Sequence, residues 1–125
     1  MQNIILIGLG GFTGSVARYY LGGLVHKWLD LHDFPYGTVV VNIIGCIVIG
    51  FLGGLSESRA VFSPEARLFV FIGLLGGFTT FSTFGYDTFR MINSGQLMPA
   101  MLNVLVQVVF GVLSVWLGFL TSKLA

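Results

Sequence analysis

A nine-residue run of polar and aromatic side chains lies inside an apolar segment that is long enough to cross a bilayer. The run is Gly76–Phe84, GGFTTFSTF, with two glycines, four hydroxyl residues and three phenylalanines. In hydrocarbon, each backbone N–H or C=O without a partner costs several kcal/mol, so a helix is interrupted at membrane depth only where it lines a site. We therefore expect the functional site at this run.

The phenylalanines of the run, Phe78, Phe81 and Phe84, recur every three residues. The ordinary interpretation of such a stripe is packing against lipid or a neighbouring helix. A phenyl ring also has a negative face and a positive edge, so ring edges beside hydroxyl donors could contact an anion without trapping it. Conduction needs that balance, because an ion must enter favourably and still leave.

Two polar stripes at helical spacing accompany this run. They are Thr38, Asn42 and Gly45 at spacings of four and three, and Asn103, Gln107 and Ser114 at spacings of four and seven. An amide inside a membrane either joins helices or meets a polar ligand. The stripes thus predict a lined path or, alternatively, interhelical hydrogen bonds alone, and their neutral donors suit an anion.

Charged side chains are scarce in the apolar segments. Asp87 is the acidic residue near the membrane, and its spacing of three from Arg90 predicts an ion pair near the interface. Arg18 lies about two-thirds of the way through the first apolar segment, where it could attract anions to a vestibule or snorkel to the interface.

The overall composition predicts an integral membrane protein. The chain is 55% hydrophobic and 9% charged, against about 25% charged in an average soluble domain. Segments of about 20 apolar residues predict one all-α domain over residues 1–125 with four spans. These are Ile4–Val25, Tyr36–Leu55, Leu68–Met91 and Met98–Leu120. A net charge of +1 gives no reason to expect nucleic acid as a partner.

Short polar connectors separate the spans. Ser63-Pro64-Glu65 has the pattern of a helix start, and Ser94-Gly95 that of a turn. His26 and His32 are expected in a solvated loop. Cys46 is expected to act as a small buried hydrophobe.

The first span also contains Ile4–Gly14, IILIGLGGFTG, which imitates a dinucleotide fingerprint with Asp30 about where a ribose-binding acid would fall. The later segments are membrane-length apolar runs and not alternating strands and helices, so cofactor binding is not expected.

The positive charges do not orient the four spans. Arg59, Arg67 and Lys123 fall on the side of the termini, while Lys27, Arg90 and Arg18 fall on the other. A chain without a bias could insert both ways, and two opposed copies could pack as an antiparallel homodimer. The alternative is a single topology fixed by a residue outside this count.

Three other functional classes fit less well. A small dual-topology multidrug exporter needs an acidic residue at membrane depth to exchange protons, and the first span has none. A non-transporting assembly protein leaves the polar stripes without a purpose. An enzyme is not expected, since no nucleophile and base are paired in the sequence.

The segments Gly37–Asn42, GTVVVN, and Gly76–Phe84 carry a closer likeness. Over its whole length the sequence resembles the Fluc, or CrcB-type, fluoride channels. The resemblance implies an antiparallel dual-topology homodimer in a microbial inner membrane, with two pores along the subunit interface and a third span broken at its centre. It also implies passive export of fluoride, and hence fluoride resistance.

The resemblance further implies roles for individual residues. Phe81 and Phe84 would present ring edges to fluoride and Asn42 its amide, and Arg18 would lie at the vestibule. Backbone carbonyls of Gly76 and Thr79 would hold one structural sodium ion on the dimer axis. The remaining pore positions would be Ser82, Thr83, Thr38, Asn103 and Gln107, the last two only as stripe positions.

Overall fold

Four long apolar helical spans form the structure. The computed structural model describes residues 1–29, 33–59 and 61–125, and within these ranges it contains helices and turns but no strand. The spans, each long and apolar enough to cross a membrane, are Gln2–Leu29, Tyr36–Arg59, Pro64–Asn93 and Leu97–Ser122. Each contains one of the predicted segments.

The helices extend beyond the predicted ends. The first span continues to Leu29, so His26 lies in its last turn and not in a loop as predicted. A hydropathy window stops at polar residues, whereas a helix continues through them until its backbone hydrogen bonds end. Asp30 and His32 lie outside the described residues.

The predicted signals at the ends of the third span are confirmed. Ser63 is the N-cap, its Oγ accepts a hydrogen bond of 3.2 Å from the Ala66 N–H, and Pro64 follows in the first turn. At the other end Gly95 has φ 80° in the turn after Asn93. A residue with a Cβ rarely adopts that angle, which explains the glycine.

The first and third spans touch through their backbones. A Cβ on Gly14 would overlap the Leu74 carbonyl oxygen and lie 2.8 Å from the Phe78 nitrogen, and one on Gly77 would lie 2.6 Å from the Gly11 carbonyl oxygen. Small residues permit such close approach in lipid, where dispersion contacts replace the hydrophobic effect. The glycines therefore fix the third span against the first.

The second and fourth spans form a second close pair. A Cβ on Gly50 would overlap the Val115 carbonyl oxygen, and one on Gly118 would overlap the Ile47 carbonyl oxygen. The second span also packs against the first, which joins the two pairs into one bundle.

The third and fourth spans depart from regular α-helix in the middle. Leu68–Leu75 and Val106–Phe110 are π-helical, a geometry that often occurs near functional sites. Gly76–Phe78 is α-helical, Thr79 and Thr80 have extended backbone angles, and the helix Phe81–Asn93 begins directly after them. These two extended residues lie inside the run that the sequence singles out.

We expect Gly14→Ala to destabilise the protein by about 1–3 kcal/mol, since the new methyl group must push two backbones apart. Gly8→Ala is the matched control, because a Cβ at Gly8 has no atom within 4 Å. Thermal unfolding of each purified variant, followed by size-exclusion chromatography, measures the difference. Equal midpoints for the two variants would contradict the close packing of the first and third spans.

Candidate functional site

Thr79 and Thr80, the two residues with extended backbone angles, are here called the extended pair. Asn42 forms hydrogen bonds with the backbone of Thr80. The Thr80 N–H donates to Asn42 Oδ1 at 2.9 Å, and Asn42 Nδ2 donates to the Thr80 carbonyl oxygen at 3.2 Å. An extended residue in the middle of a span has lost its helical partners, and a carboxamide offers a donor and an acceptor side by side. The second span therefore provides hydrogen-bond partners for the extended backbone of Thr80.

Thr80 is also the N-cap of the helix that follows. Its Oγ1 accepts a hydrogen bond of 3.2 Å from the Thr83 N–H and lies 2.9 Å from the Thr83 hydroxyl and 3.3 Å from that of Ser82. Threonine with extended backbone angles is a favoured N-cap because its oxygen satisfies an unpaired first-turn N–H. The hydroxyls of the run thus gather at the start of the helix Phe81–Asn93.

The carbonyl end of the preceding segment faces the first span. Arg18 Nη1 lies 3.5 Å from the Thr79 carbonyl oxygen, and Ser15 Oγ lies 3.5 Å from that of Gly77. Arg18 is half-buried, and its guanidinium contacts this carbonyl oxygen of the third span. A cation is favoured there because the carbonyl end of a helix carries partial negative charge.

Three carboxamides form a continuous hydrogen-bonded chain, here called the carboxamide relay: Asn42, Gln107 and Asn103. Asn42 Nδ2 donates to Gln107 Oε1 at 2.6 Å, and Gln107 Nε2 donates to Asn103 Oδ1 at 2.9 Å. Asn103 Nδ2 then donates to Thr88 Oγ1 at 2.9 Å. The relay connects the second, fourth and third spans, and the polar stripes therefore meet.

Phe81 and Phe84 form the aromatic part of the site. Their ring centroids lie 5.4 Å apart with an angle of 54° between the planes. Phe84 is 9% exposed, whereas Phe81 is 82% exposed at the surface of the chain. Phe78 belongs to the segment before the extended pair, so the three phenylalanines do not form one helical stripe.

An open groove of about 460 Å³ runs along this surface. Both rings line it together with Asn42, Gln107 and Gly76. Cys46 also lines it and is half-buried, so it is not the core residue that was expected. Most other residues that line the groove are aliphatic. Its polar groups therefore lie mainly beside Thr79 and Thr80.

A second cavity of about 760 Å³ lies beside Thr38, Thr83, Asp87 and Arg90. Thr38 Oγ1 donates to Asp87 Oδ2 at 2.9 Å, and Arg90 is exposed. The partner of Asp87 is thus Thr38 of the second span, where the sequence predicted Arg90, because helix packing brings a hydroxyl within reach of the carboxylate. Thr38 and Thr83 share this cavity and not the groove with the rings.

The structure separates the predicted site residues into three places. Phe81, Phe84, Asn42 and Gln107 meet at the groove, and Thr38 lies at the other cavity. Asn103 is 0% exposed, behind the groove wall. Sequence reasoning missed Thr88, which bonds Asn103, and Ser15, and their only signal was a hydroxyl at membrane depth.

The side chains of the described ranges offer no cluster of three or more His, Cys, Asp or Glu residues that could hold a metal ion. Backbone carbonyl oxygens are another donor type that suits a hard cation. Gly76 is relevant here, since the Thr80 N–H that would be its partner in a continued helix donates to Asn42 instead.

Comparison with known proteins identifies the family. A family model described as CrcB-like protein, Camphor Resistance (CrcB), matches residues 5–119. The chain belongs to the CrcB family. The match reaches into all four spans and includes the residues that line the groove.

Individual relatives agree over nearly the full length. Fluoride-specific ion channel FluC 1 of Methanosarcina acetivorans is 45% identical over 98% of this chain and 92% of its own length. Fluoride-specific ion channel FluC of Geotalea daltonii is 44% identical over 98% of each chain. That of Methylobacillus flagellatus is 43% identical over 99% of this chain and 97% of its own. With its four spans, this CrcB protein is a multi-pass membrane protein.

Proposed function

We propose that this CrcB protein is a passive, fluoride-selective ion channel and not an enzyme. The observation that carries the proposal is the pair Phe81 and Phe84 at the start of a helix in an open, otherwise apolar groove. The names of the relatives support it. A small multidrug exporter is disfavoured, because the groove lacks the carboxylate that proton exchange requires.

Selectivity for fluoride would follow from weak contacts with neutral groups in the groove beside Phe81 and Phe84. Ring edges of Phe81 and Phe84 carry partial positive charge, and the N-terminus of the helix Phe81–Asn93 adds about half a positive charge. Hydroxyls of Ser82 and Thr83 lie on that first turn, and Thr38 lies farther along beside Thr83. These neutral donors can replace the water around a small anion. Because none of them carries a full positive charge, the anion is not bound so tightly that it cannot leave.

The open groove favours a second subunit. Phe81 is 82% exposed, and the groove has no wall on the outer side. A second copy packed against it would enclose the rings, and two such grooves would give two pores. The unbiased charges of the connectors support an antiparallel arrangement with dual topology.

A structural sodium ion on the axis of that dimer fits the residues present. The carbonyls of Gly76 and Thr79 are neutral oxygens, a suitable donor type for a hard cation, and the Thr80 N–H does not reach Gly76. When bound, the ion would be coordinated by these carbonyl oxygens. Arg18 already lies beside the Thr79 carbonyl from the first span.

Export needs no energy source. Hydrogen fluoride is a weak acid that crosses membranes in neutral form and ionises in a near-neutral cytoplasm, so fluoride accumulates inside. A negative-inside potential of 100 mV favours exit of a monovalent anion by about 2.3 kcal/mol. The protein would therefore confer fluoride resistance from a bacterial inner membrane.

Liposomes that contain the purified protein should release fluoride and essentially no chloride. The few polar groups of the groove can replace the hydration shell of a small anion but not that of a larger one. Ion-selective electrodes measure efflux of each ion from liposomes loaded with one of them. Protein-free liposomes give the background. Equal release of the two anions would rule out the proposed selectivity.

Phe81→Ile and Phe84→Ile distinguish a pore role from packing. Isoleucine keeps much of the apolar bulk but lacks the positive edge. We expect both variants to elute as the parent does and to lose fluoride flux by about tenfold or more. Phe12→Ile, at an exposed ring of the first span, is the matched control and should keep parental flux. Parental flux in both pore variants would assign the rings to packing.

Dual topology is tested by a cysteine at exposed Ser58, in a background with Cys46→Ala. A membrane-impermeant maleimide should label about half of the Ser58→Cys protein in intact cells, because opposed copies are equal in number. Permeabilised cells give the total. Labelling of all or none of the protein from outside would contradict the antiparallel dimer.

A further inference from the structure

The carboxamide relay raises the question of what the fourth-span amides do. Asn103 and Gln107 belong to a polar stripe that resembles the lining of a path, yet each donates to another protein group. Asn103 is fully buried, so an ion in the groove cannot reach it. Its partners are Gln107 on one side and Thr88 on the other.

The donors of Asn42 are fully occupied. A carboxamide has two N–H hydrogens, and Asn42 Nδ2 donates to the Thr80 carbonyl at 3.2 Å and to Gln107 Oε1 at 2.6 Å. An anion that took a hydrogen bond from Asn42 would have to displace one of these partners. A displaced Thr80 carbonyl would be left unpaired in the bundle, at a cost of about 1–3 kcal/mol.

The relay has one direction throughout. Donation proceeds from Asn42 to Gln107, to Asn103, to the Thr88 hydroxyl, and from that hydroxyl to the Phe84 carbonyl at 2.8 Å. Bonds in such a chain polarise and strengthen one another. Both ends of the relay also contact the third span: Asn42 at Thr80, the N-cap of the helix that carries the rings, and Asn103 at Thr88 within that helix.

We infer that Gln107 and Asn103 are positioning residues and not ion ligands: they orient the amide of Asn42, which in turn holds the Thr80 backbone. Gln107 fixes the rotation of the Asn42 amide, because its Oε1 can accept only from the Nδ2 side. That rotation directs Asn42 Oδ1 to the Thr80 N–H. The fourth span thereby sets the point at which the helix Phe81–Asn93 begins.

The inference rests on the proposed function only for its flux readout. Gln107→Met keeps the length of the side chain and removes its hydrogen bonds. Hydrogen exchange is measured on the intact Gln107→Met protein and read in a proteolytic fragment that covers residues 79–84. The Thr80 amide should exchange about fivefold to tenfold faster than in the parent, because one supporting hydrogen bond is lost. Ser114→Ala, in the same stripe but beyond the relay, is the matched control and should leave that exchange unchanged.

A double-mutant cycle separates positioning from direct binding. Asn42→Leu alone and Gln107→Met alone should each lower fluoride flux, and Gln107→Met should have no further effect in the Asn42→Leu background. Independent ion ligands would give losses that multiply. If Gln107→Met does not elute as the parent does, Asn103→Leu takes its place, since it interrupts the relay one step farther along.

Two results would each overturn the inference. One is unchanged hydrogen exchange at Thr80 in Gln107→Met, and the other is a fluoride-flux loss in the Asn42→Leu, Gln107→Met double variant that equals the product of the two single losses. Faster exchange together with non-additive flux supports it. A parent protein that passes no fluoride would end the proposed function instead. The exchange measurement would still test the relay in that case.

Discussion

The double hydrogen bond between Asn42 and the Thr80 backbone is the constraint on which the site depends. In lipid, water cannot satisfy a peptide group that has left its helix, so extended backbone at Thr79 and Thr80 requires a partner from a neighbouring span. Asn42 supplies the donor and the acceptor together. Without it, the N–H and the carbonyl of Thr80 would lose these partners, at a cost of about 1–3 kcal/mol for each group left unpaired.

The glycines and the polar network make different contributions. Backbone contacts at Gly14 and Gly77 hold the first segment of the third span rigidly against the first span. The relay holds the helix Phe81–Asn93 against the second and fourth spans. The extended pair lies between these two attachments. Its geometry is therefore over-determined from both sides, which is how an unfavourable local conformation persists in a folded protein.

The sequence predicted the four spans, and singled out the run Gly76–Phe84, because both depend on local signals. Long apolar runs, Ser63 before Pro64, and hydroxyls among phenylalanines are visible without partners. Side-chain contacts between different helices were harder to predict from the sequence. Asp87 bonds Thr38, which lies 49 positions away, and Gln107 meets Asn42 across 65 positions. Such pairs depend on the rotation of each helix about its axis, and one residue of error moves a side chain by about 100°.

The same reasoning explains why a polar stripe in a membrane is ambiguous from sequence. Asn103 and Gln107 have the spacing of a path lining, but a stripe also results when amides must satisfy one another in a dry interior. Burial distinguishes the two: a ligand must be reachable from the groove, and Asn103 is not. Phe81 has the opposite property, since its ring is 82% exposed and lines the groove. The amides of Asn42, Gln107 and Asn103 thus support the backbone of the site from within, while the Phe81 ring lies exposed at the groove.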